Sequence, residues 1–425
     1  MSSGSWHAGL EIADSTPLHV AEDLPAPPRY DFSEPRSCEL HVGSTCVRDT
    51  QQGDFYRFAK WCPDGSAALA ITESRVCRVF ATRNLSSFDT SGISISWPAI
   101  WEAPQPSAIW SNAWYPYASL SNPATFCYVS GIADAPVRLV DGKTGKTRAS
   151  YPIVNHSERF IAPSSLCFNG DASRLYCGFD SAIEVFEFNR PGSSGTRLKT
   201  SPTRKSRDGQ KGMISALTFA PDGSGTFAAG SYSGNISIYS EDSGEDRLAE
   251  IVMGEPSSGI TQLTFHPTNG YVLWAASRMS DHIAGYDMRN LNGGPFIRLH
   301  RPGRTQQRMT FDVDWAGRYL TTGGTDGVIR VYDVDVGGSS EAISQVQAHQ
   351  DVIGSISMHP FEPIWLTAFG SRLGTQTGRL HTRSTNESSS DSDSEPGSTA
   401  SDSSASCHSD AALRAPSLGL IRLSS

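Results

Sequence analysis

The 425-residue chain has no apolar run near the roughly 18 residues that a membrane-spanning helix needs. The stretch from Met1 to Val20 lacks a basic region followed by an apolar core, so no secretory leader is expected. The eight cysteines, at 38, 46, 62, 77, 127, 167, 177 and 407, include no C-x-x-C spacing. Several stand in apolar stretches such as Ser165-Leu166-Cys167-Phe168, and they are expected to be small buried hydrophobes in a reducing compartment. None of the 11 histidines stands at H-x-x-x-H or H-E-x-x-H spacing with a carboxylate partner, so no metal is expected. There is no G-x-S-x-G elbow, no Walker loop and no strand–Gly-rich–helix unit. Serines are plentiful, but none comes with a base and an orienting group at a recognisable spacing, so neither catalysis nor a cofactor is expected. No stretch reads as a long amphipathic helix.

What is present is a repeat. An apolar strand end followed by a Pro/Asp/Gly turn recurs as Trp61-Cys62-Pro63-Asp64-Gly65, Phe168-Asn169-Gly170-Asp171 and Phe219-Ala220-Pro221-Asp222-Gly223. It continues as Phe265-His266-Pro267, Val313-Asp314-Trp315-Ala316-Gly317 and Met358-His359-Pro360, with a degenerate copy at Trp114-Tyr115-Pro116. The anchors 61, 114, 168, 219, 265, 313 and 358 are separated by 53, 54, 51, 46, 48 and 45 residues. That is slightly more than the roughly 40–45 residues of a WD blade, and the excess is expected in loops. In phase with it runs a period-two strand ending in an aromatic and often Asp, as in Val137–Asp141, Ile283–Asp287 and Ile329–Asp333. Tyr-Asp and Val-Asp stand where the WD dipeptide stands, and the alternation implies a face buried between blades. The pattern predicts an all-β, seven-bladed WD-repeat propeller. In the fourth blade it predicts strands at 215–220, 226–231, 235–240 and 247–253.

The seventh blade is interrupted. Its second strand, Ile364–Phe369, is followed by a polar run in which 384–412 form a Ser/Asp-rich insertion, expected to be disordered because it has nothing to bury. Alternation resumes at Leu418–Leu423, within a returning segment 413–425 expected to supply the third strand. The outer strand is expected from the N-terminal segment 1–50, at Glu39–Val42, so that both ends close a propeller spanning 51–383. Of the net charge of −9, the segment 1–50 holds −5 (eight acids, three bases) and 384–412 holds −6 (six acids). Residues 413–425 hold +2, which leaves 51–383 neutral, with 30 acids and 30 bases. The acidity belongs to the tails, and composition alone makes no case for a nucleic-acid surface.

Some residues carry more than a generic repeat. They include Lys60–Gly65, Pro136–Asp141, Thr144–Ser150, Asn155-His156, Cys177–Phe179, Arg190-Pro191-Gly192, Gly212–Ser215, Gly230–Tyr232, Gly259–Thr261, Asp287–Arg289 and Gln307–Asp314. Through their order and spacing, from about Phe55 to Asp335, the chain resembles the telomerase Cajal body protein 1 family, WD-repeat proteins that bind small Cajal body RNAs. The tails lie outside the resemblance. It implies binding to the CAB-box loop of such RNAs and of telomerase RNA, company with H/ACA ribonucleoprotein proteins, and delivery to nuclear Cajal bodies or their equivalent, a cytoplasmic pool being the alternative. A related branch is tied to spliceosomal particles. No membrane or small-molecule substrate is implied.

RNA recognition asks for basic and aromatic side chains on one rim, to stack bases and pair phosphates. The loops between blades and the loops joining second to third strands share one face. The candidates placed there are Trp114, Tyr115, His156, Arg159, Arg204, Lys205, Tyr232, Arg278 and Arg308. For each, the competing assignment is an ordinary solvated charge or a packing residue. Scaffold roles are expected for His266, Asp287, Arg289, Asp312, Asp326, Gly327, Asp333 and His349, with His349 bonded to a turn Asp such as Asp326 and Arg289 bonded to turn carbonyls. Ser388, Ser390 and Ser392 each precede an acid by three residues, the pattern favoured by acidophilic kinases. Two function classes remain: an RNA-particle protein, and a pure protein scaffold of a nuclear complex.

Overall fold

A computed structural model describes residues 27–41, 54–85, 94–203, 205–206, 208–252, 258–335, 338–371 and 417–424. The inserted acidic segment, Arg204 and Val42 lie outside the described residues. The described chain folds into seven sheets arranged as a propeller, six antiparallel sheets of four strands and one of five with a single parallel pair. The innermost strands are Tyr56–Trp61, Ile109–Trp114, Ser165–Phe168, Ile214–Phe219, Ile260–His266, Phe311–Val313 and Ile353–Met358. Six of the seven close on their repeat anchor, and the fifth runs one residue past Phe265. The fourth blade has strands at Ile214–Phe219, Thr226–Ser231, Asn235–Ser240 and Ala249–Val252, so the inner strand starts one residue earlier than predicted and the outer one is shorter. No α-helix occurs among the described residues.

The period-two alternation does not separate core from solvent. It separates two interfaces, because a blade is packed on both faces. Ile236 and Ile238 join the cluster shared with blade 5, whereas Tyr239, on the same strand, joins the cluster shared with blade 3. The described core contains seven such clusters, one for each neighbouring pair of blades, including a pair that joins blade 7 to blade 1. A ring has as many interfaces as blades; an open array of seven would have six.

Closure is built from distant segments. Blade 7 runs Ile353–Met358, Ile364–Phe369, Ser417–Ser424 and Asp31–His41, with Leu418 opposite Ala368 on one side and Leu40 on the other. The outer strand is longer than the predicted Glu39–Val42. The short strand Ser94–Ser96, lent by blade 1, pairs parallel to Glu39–His41. Tyr30 and Phe32 pack their rings on Tyr319, and Phe32 also meets Trp365, which fastens this strand to blades 6 and 7.

Histidine–proline turns latch one blade to the next. Gly317 has φ +78°, and a Cβ there would fall 2.2 Å from the His266 ring of the preceding blade. The same contact recurs at closure, where Gly65 (φ +70°) lies over His359, whose Nε2 donates to the Gly65 carbonyl at 3.0 Å. Only glycine fits both the left-handed backbone and the space the imidazole fills.

Candidate nucleic-acid interface

Strands that alternate in direction put the interblade loops and the second-to-third-strand loops on one face, here the upper face. The opposite ends of the inner strands mark the lower face. Several inner strands begin, at the upper face, with a bulge. Register shifts fall between Tyr56 and Phe58, Ile109 and Ser111, Ile214 and Ala216, and Ile260 and Gln262. The bulged residues are Arg57, Trp110, Ser215 and Thr261. A bulge takes a residue out of the ladder and leaves its backbone groups in need of partners.

Arg308, in the loop between blades 5 and 6, supplies two of those partners. Its Nε and Nη2 donate to the Thr261 carbonyl at 3.1 and 2.7 Å, and Nη2 also donates to the Ser215 carbonyl at 3.0 Å. One guanidinium thus ties three consecutive blades together at the channel mouth while remaining accessible from the channel. Burial holds its pKa below the usual arginine value; Tyr232 opposes that shift, and the nearby positive charges of Arg57 and Arg278 add to it. Arg57 donates to the Ile109 carbonyl, beside Trp110, whose side chain is 44% exposed.

Arg278, in a blade 5 loop, lies over the ring of Tyr232 in the matching blade 4 loop, 3.9 Å from its centroid. Its Nε is shielded from solvent and has no hydrogen-bond partner. Among the described residues neither Arg278 nor Arg308 forms an ion pair. The upper mouth is therefore a converging set of guanidiniums with aromatic neighbours. The lower mouth differs in charge. A 150 Å³ pocket between blades 1, 6 and 7 is lined by Lys60, Trp61, Asp312, Trp315, Ser357 and His359 among others. Burial raises the Asp312 carboxyl pKa there, although Lys60 and the Met358 N–H, which donates at 2.9 Å, favour the charged form.

The structure sorts the sequence candidates. His156 and Arg159 are exposed on the interblade loop of blades 2 and 3, where the Asn155 carboxamide oxygen accepts from the Ser157 and Arg159 amides. Lys205 is exposed on the next interblade loop, whereas Arg204 lies outside the described residues. Tyr232, Arg278 and Arg308 come together. Trp114 and Tyr115 do not join them: they end an inner strand and so sit at the lower face. Trp114 is 8% exposed, stacks on Phe126 and donates its Nε1–H to the Lys60 carbonyl at 3.2 Å. Tyr115 stacks on Phe188. Both are interblade packing in this arrangement. Arg57 and Trp110 were not picked out from the sequence, because only the bulges bring them to the mouth.

The scaffold residues also differ in detail from expectation. His349 does not bond Asp326. Its Nε2 lies 2.8 Å from Thr367 Oγ1, its ring stacks on Phe369 at 3.7 Å, and Asp326 instead receives Arg330 at 2.6 Å. Gly327, φ +73°, lets the chain pass against the His349 carbonyl. Arg289 grips the Asp287 carboxylate at 2.9 and 2.7 Å rather than turn carbonyls. Asp312 links blade 6 to Met358 of blade 7, and Asp333 receives the Asp335 amide and Arg318. His266 is nearly buried under Gly317. No group of three or more His, Cys, Asp or Glu side chains suited to a metal occurs among the described residues.

No family model matches the chain. Over 373 residues, 86% of this chain and 66% of the other, it is 32% identical to the telomerase Cajal body protein 1 of Homo sapiens. Over 354 residues, 81% of this chain and 62% of the other, it is 32% identical to that of Bos taurus. It is also 28% identical, over 300 residues, to the guanine nucleotide-binding protein negative regulator 1 of Schizosaccharomyces pombe, covering 68% of this chain and 74% of that one. The chain spans a little under two thirds of the length of these mammalian relatives.

Proposed function

The chain belongs to the telomerase Cajal body protein 1 family, and from that membership we propose that it is a non-catalytic RNA-binding propeller of the nucleus. It holds small Cajal body RNAs of the H/ACA type, telomerase RNA included, on its upper face. Alongside H/ACA ribonucleoprotein proteins it directs the particles to Cajal bodies or their equivalent. The observation that carries this is the upper mouth, where Tyr232 and Arg278 stack, the charges of Arg57 and Arg278 reach Arg308, and neither Arg278 nor Arg308 forms an ion pair among the described residues. Single-stranded RNA is held by aromatic and guanidinium planes against bases and by cations against phosphates.

Crosslinking and recovery of the tagged protein are expected to enrich small nuclear or telomerase RNAs. The binding constant falls by about 0.7 log units per log unit of salt for each phosphate neutralised. A second reading, a protein scaffold without direct RNA contact, draws on the yeast relative, whose name refers to a guanine nucleotide-binding protein. Recovery of proteins with no enriched RNA would select that reading.

A further inference from the structure

The guanidinium of Arg278 poses a physical problem. It is half-buried and stacked on Tyr232, and it makes no hydrogen bond through any of its five N–H groups among the described residues. A shielded donor left unpaired is costly, and more so when it is charged. The charges of Arg278 and Arg57 both reach the Arg308 guanidinium, and Arg308 is immobilised on two bulge carbonyls, with Nη1 left over among the described residues. Donors and positive charge already placed by the fold favour the arrival of an anion, because little ordering is left for binding to supply.

We infer that Arg278, Arg308 and Arg57 form a seat for one phosphate group at the upper mouth of the channel. The guanidiniums come from loops of blades 5 and 6 and from the inner strand of blade 1, with Arg308 near enough to feel the charge of both others. A carboxylate presents its two oxygens in one plane, whereas a backbone phosphodiester carries two non-bridging oxygens on a tetrahedral phosphorus, with two weaker ester oxygens beyond them, and so meets donors arriving from more than one plane. The source is a backbone phosphate of a bound RNA strand. Trp110 lies exposed beside Arg57, offering a stacking plane for an adjoining base that a phosphopeptide would leave unused. This source rests on the RNA-binding function proposed above; the seat itself does not.

Arg278 is the residue to change, because among the described residues it has no side-chain hydrogen bond to lose on substitution, whereas Arg308 and Arg57 hold the bulges. At constant ionic strength, inorganic phosphate at about ten millimolar is expected to raise the melting temperature of the full chain above its value in chloride. Arg278→Met is expected to abolish that increment without lowering the phosphate-free melting temperature. It should also weaken single-stranded RNA binding by roughly tenfold and reduce the salt slope by about 0.7, the share of one phosphate. No phosphate-specific stabilisation, or an equal increment in Arg278→Met, overturns the seat while RNA binding by the intact chain still stands. A phosphate increment lost in Arg278→Met, with RNA affinity and salt slope unchanged, overturns the RNA source and assigns the seat to free phosphate.

Discussion

Single side chains carry much of the strain and cohesion of this ring, and their effects can be separated. Burial holds the His349 imidazole at a pKa of about 4, against 6.5 when exposed. A histidine pKa depressed by folding means that the unfolded chain binds the proton more readily. The stability associated with the neutral ring is therefore complete above about pH 6.5 and is lost as pH falls toward 4. The full effect is on the order of 3 kcal/mol. Burial lowers His266 and His359 in the same direction. Melting temperature is expected to drop through this window in the wild type. His349→Gln, which keeps a partner for Thr367, should begin lower at pH 7.5 but decline less steeply; parallel profiles would refute the assignment. The contact of His266 with Gly317 gives a second measurement. Gly317→Ala is expected to cost about 2 kcal/mol, from the left-handed backbone and the collision with the ring. Combining it with His266→Ala should cost less than the two single changes added, since the ring has gone, and additive losses by chemical denaturation would show that the two do not touch. These residues were legible as turn residues from the Pro/Gly repeat. What they touch was not, because the partner belongs to the next blade, some 50 residues away in sequence. The same limit hid Arg57 and Trp110: a one-residue bulge re-aims a side chain without leaving a mark on composition.

At the scale of strands, the repeat anchors were readable because an inner strand ends in a tight turn, whose glycine at Gly65 and Gly317 meets a histidine ring of the preceding blade. The face to which a side chain belongs was harder. Trp114 closes a strand correctly located and Tyr115 follows it, yet both stand at its lower end, and without knowing where the strand enters the ring the two ends look alike. The returning strand Ser417–Ser424 was visible through its alternation, and the structure shows why removing it should be severe. Leu418 and Leu420 belong to the cluster between blades 7 and 1, and Ile421 and Leu423 to the cluster between blades 6 and 7. Deleting 418–425 removes four buried side chains from two interfaces, worth on the order of 10 kcal/mol, and strips the outer strand of its partner. We expect this deletion to abolish cooperative melting at the wild-type temperature. Deleting 386–410 should leave the melting temperature almost unchanged, since loop-closure entropy varies slowly with length. An unchanged melting temperature after the first deletion would remove Ser417–Ser424 from the ring.

For the molecule as a whole, charge is divided between a neutral propeller and acidic segments joined to it. The insertion holding Ser388, Ser390 and Ser392 is anchored in blade 7 between Phe369 and Ser417. Tethering sets its local concentration near the upper face in roughly the millimolar range. Three phosphates would add about −5 to a segment already at −6. As a proposal, that segment competes with RNA for the arginines of the mouth. Phosphorylation, or Glu at the three serines, is expected to weaken RNA binding at low salt, and deletion to strengthen it. Equal affinities for the deleted, intact and phosphorylated forms would make the insertion a spacer.

Ring closure also sets a clock. Leu40 pairs with Leu418, which lies 378 positions later in the chain (418 − 40). At a synthesis rate of roughly 5–20 residues per second, the strand Asp31–His41 waits on the order of 20 to 75 s for its partner to be made. Through that interval blades 1 to 6 can fold against one another, but the interface between blades 7 and 1 cannot form, and an unpaired strand edge stands open to any other chain being made nearby. The nascent protein therefore carries this edge unpaired for as long as Ser417–Ser424 is still to be made, and its yield should depend on what shelters the edge over that interval.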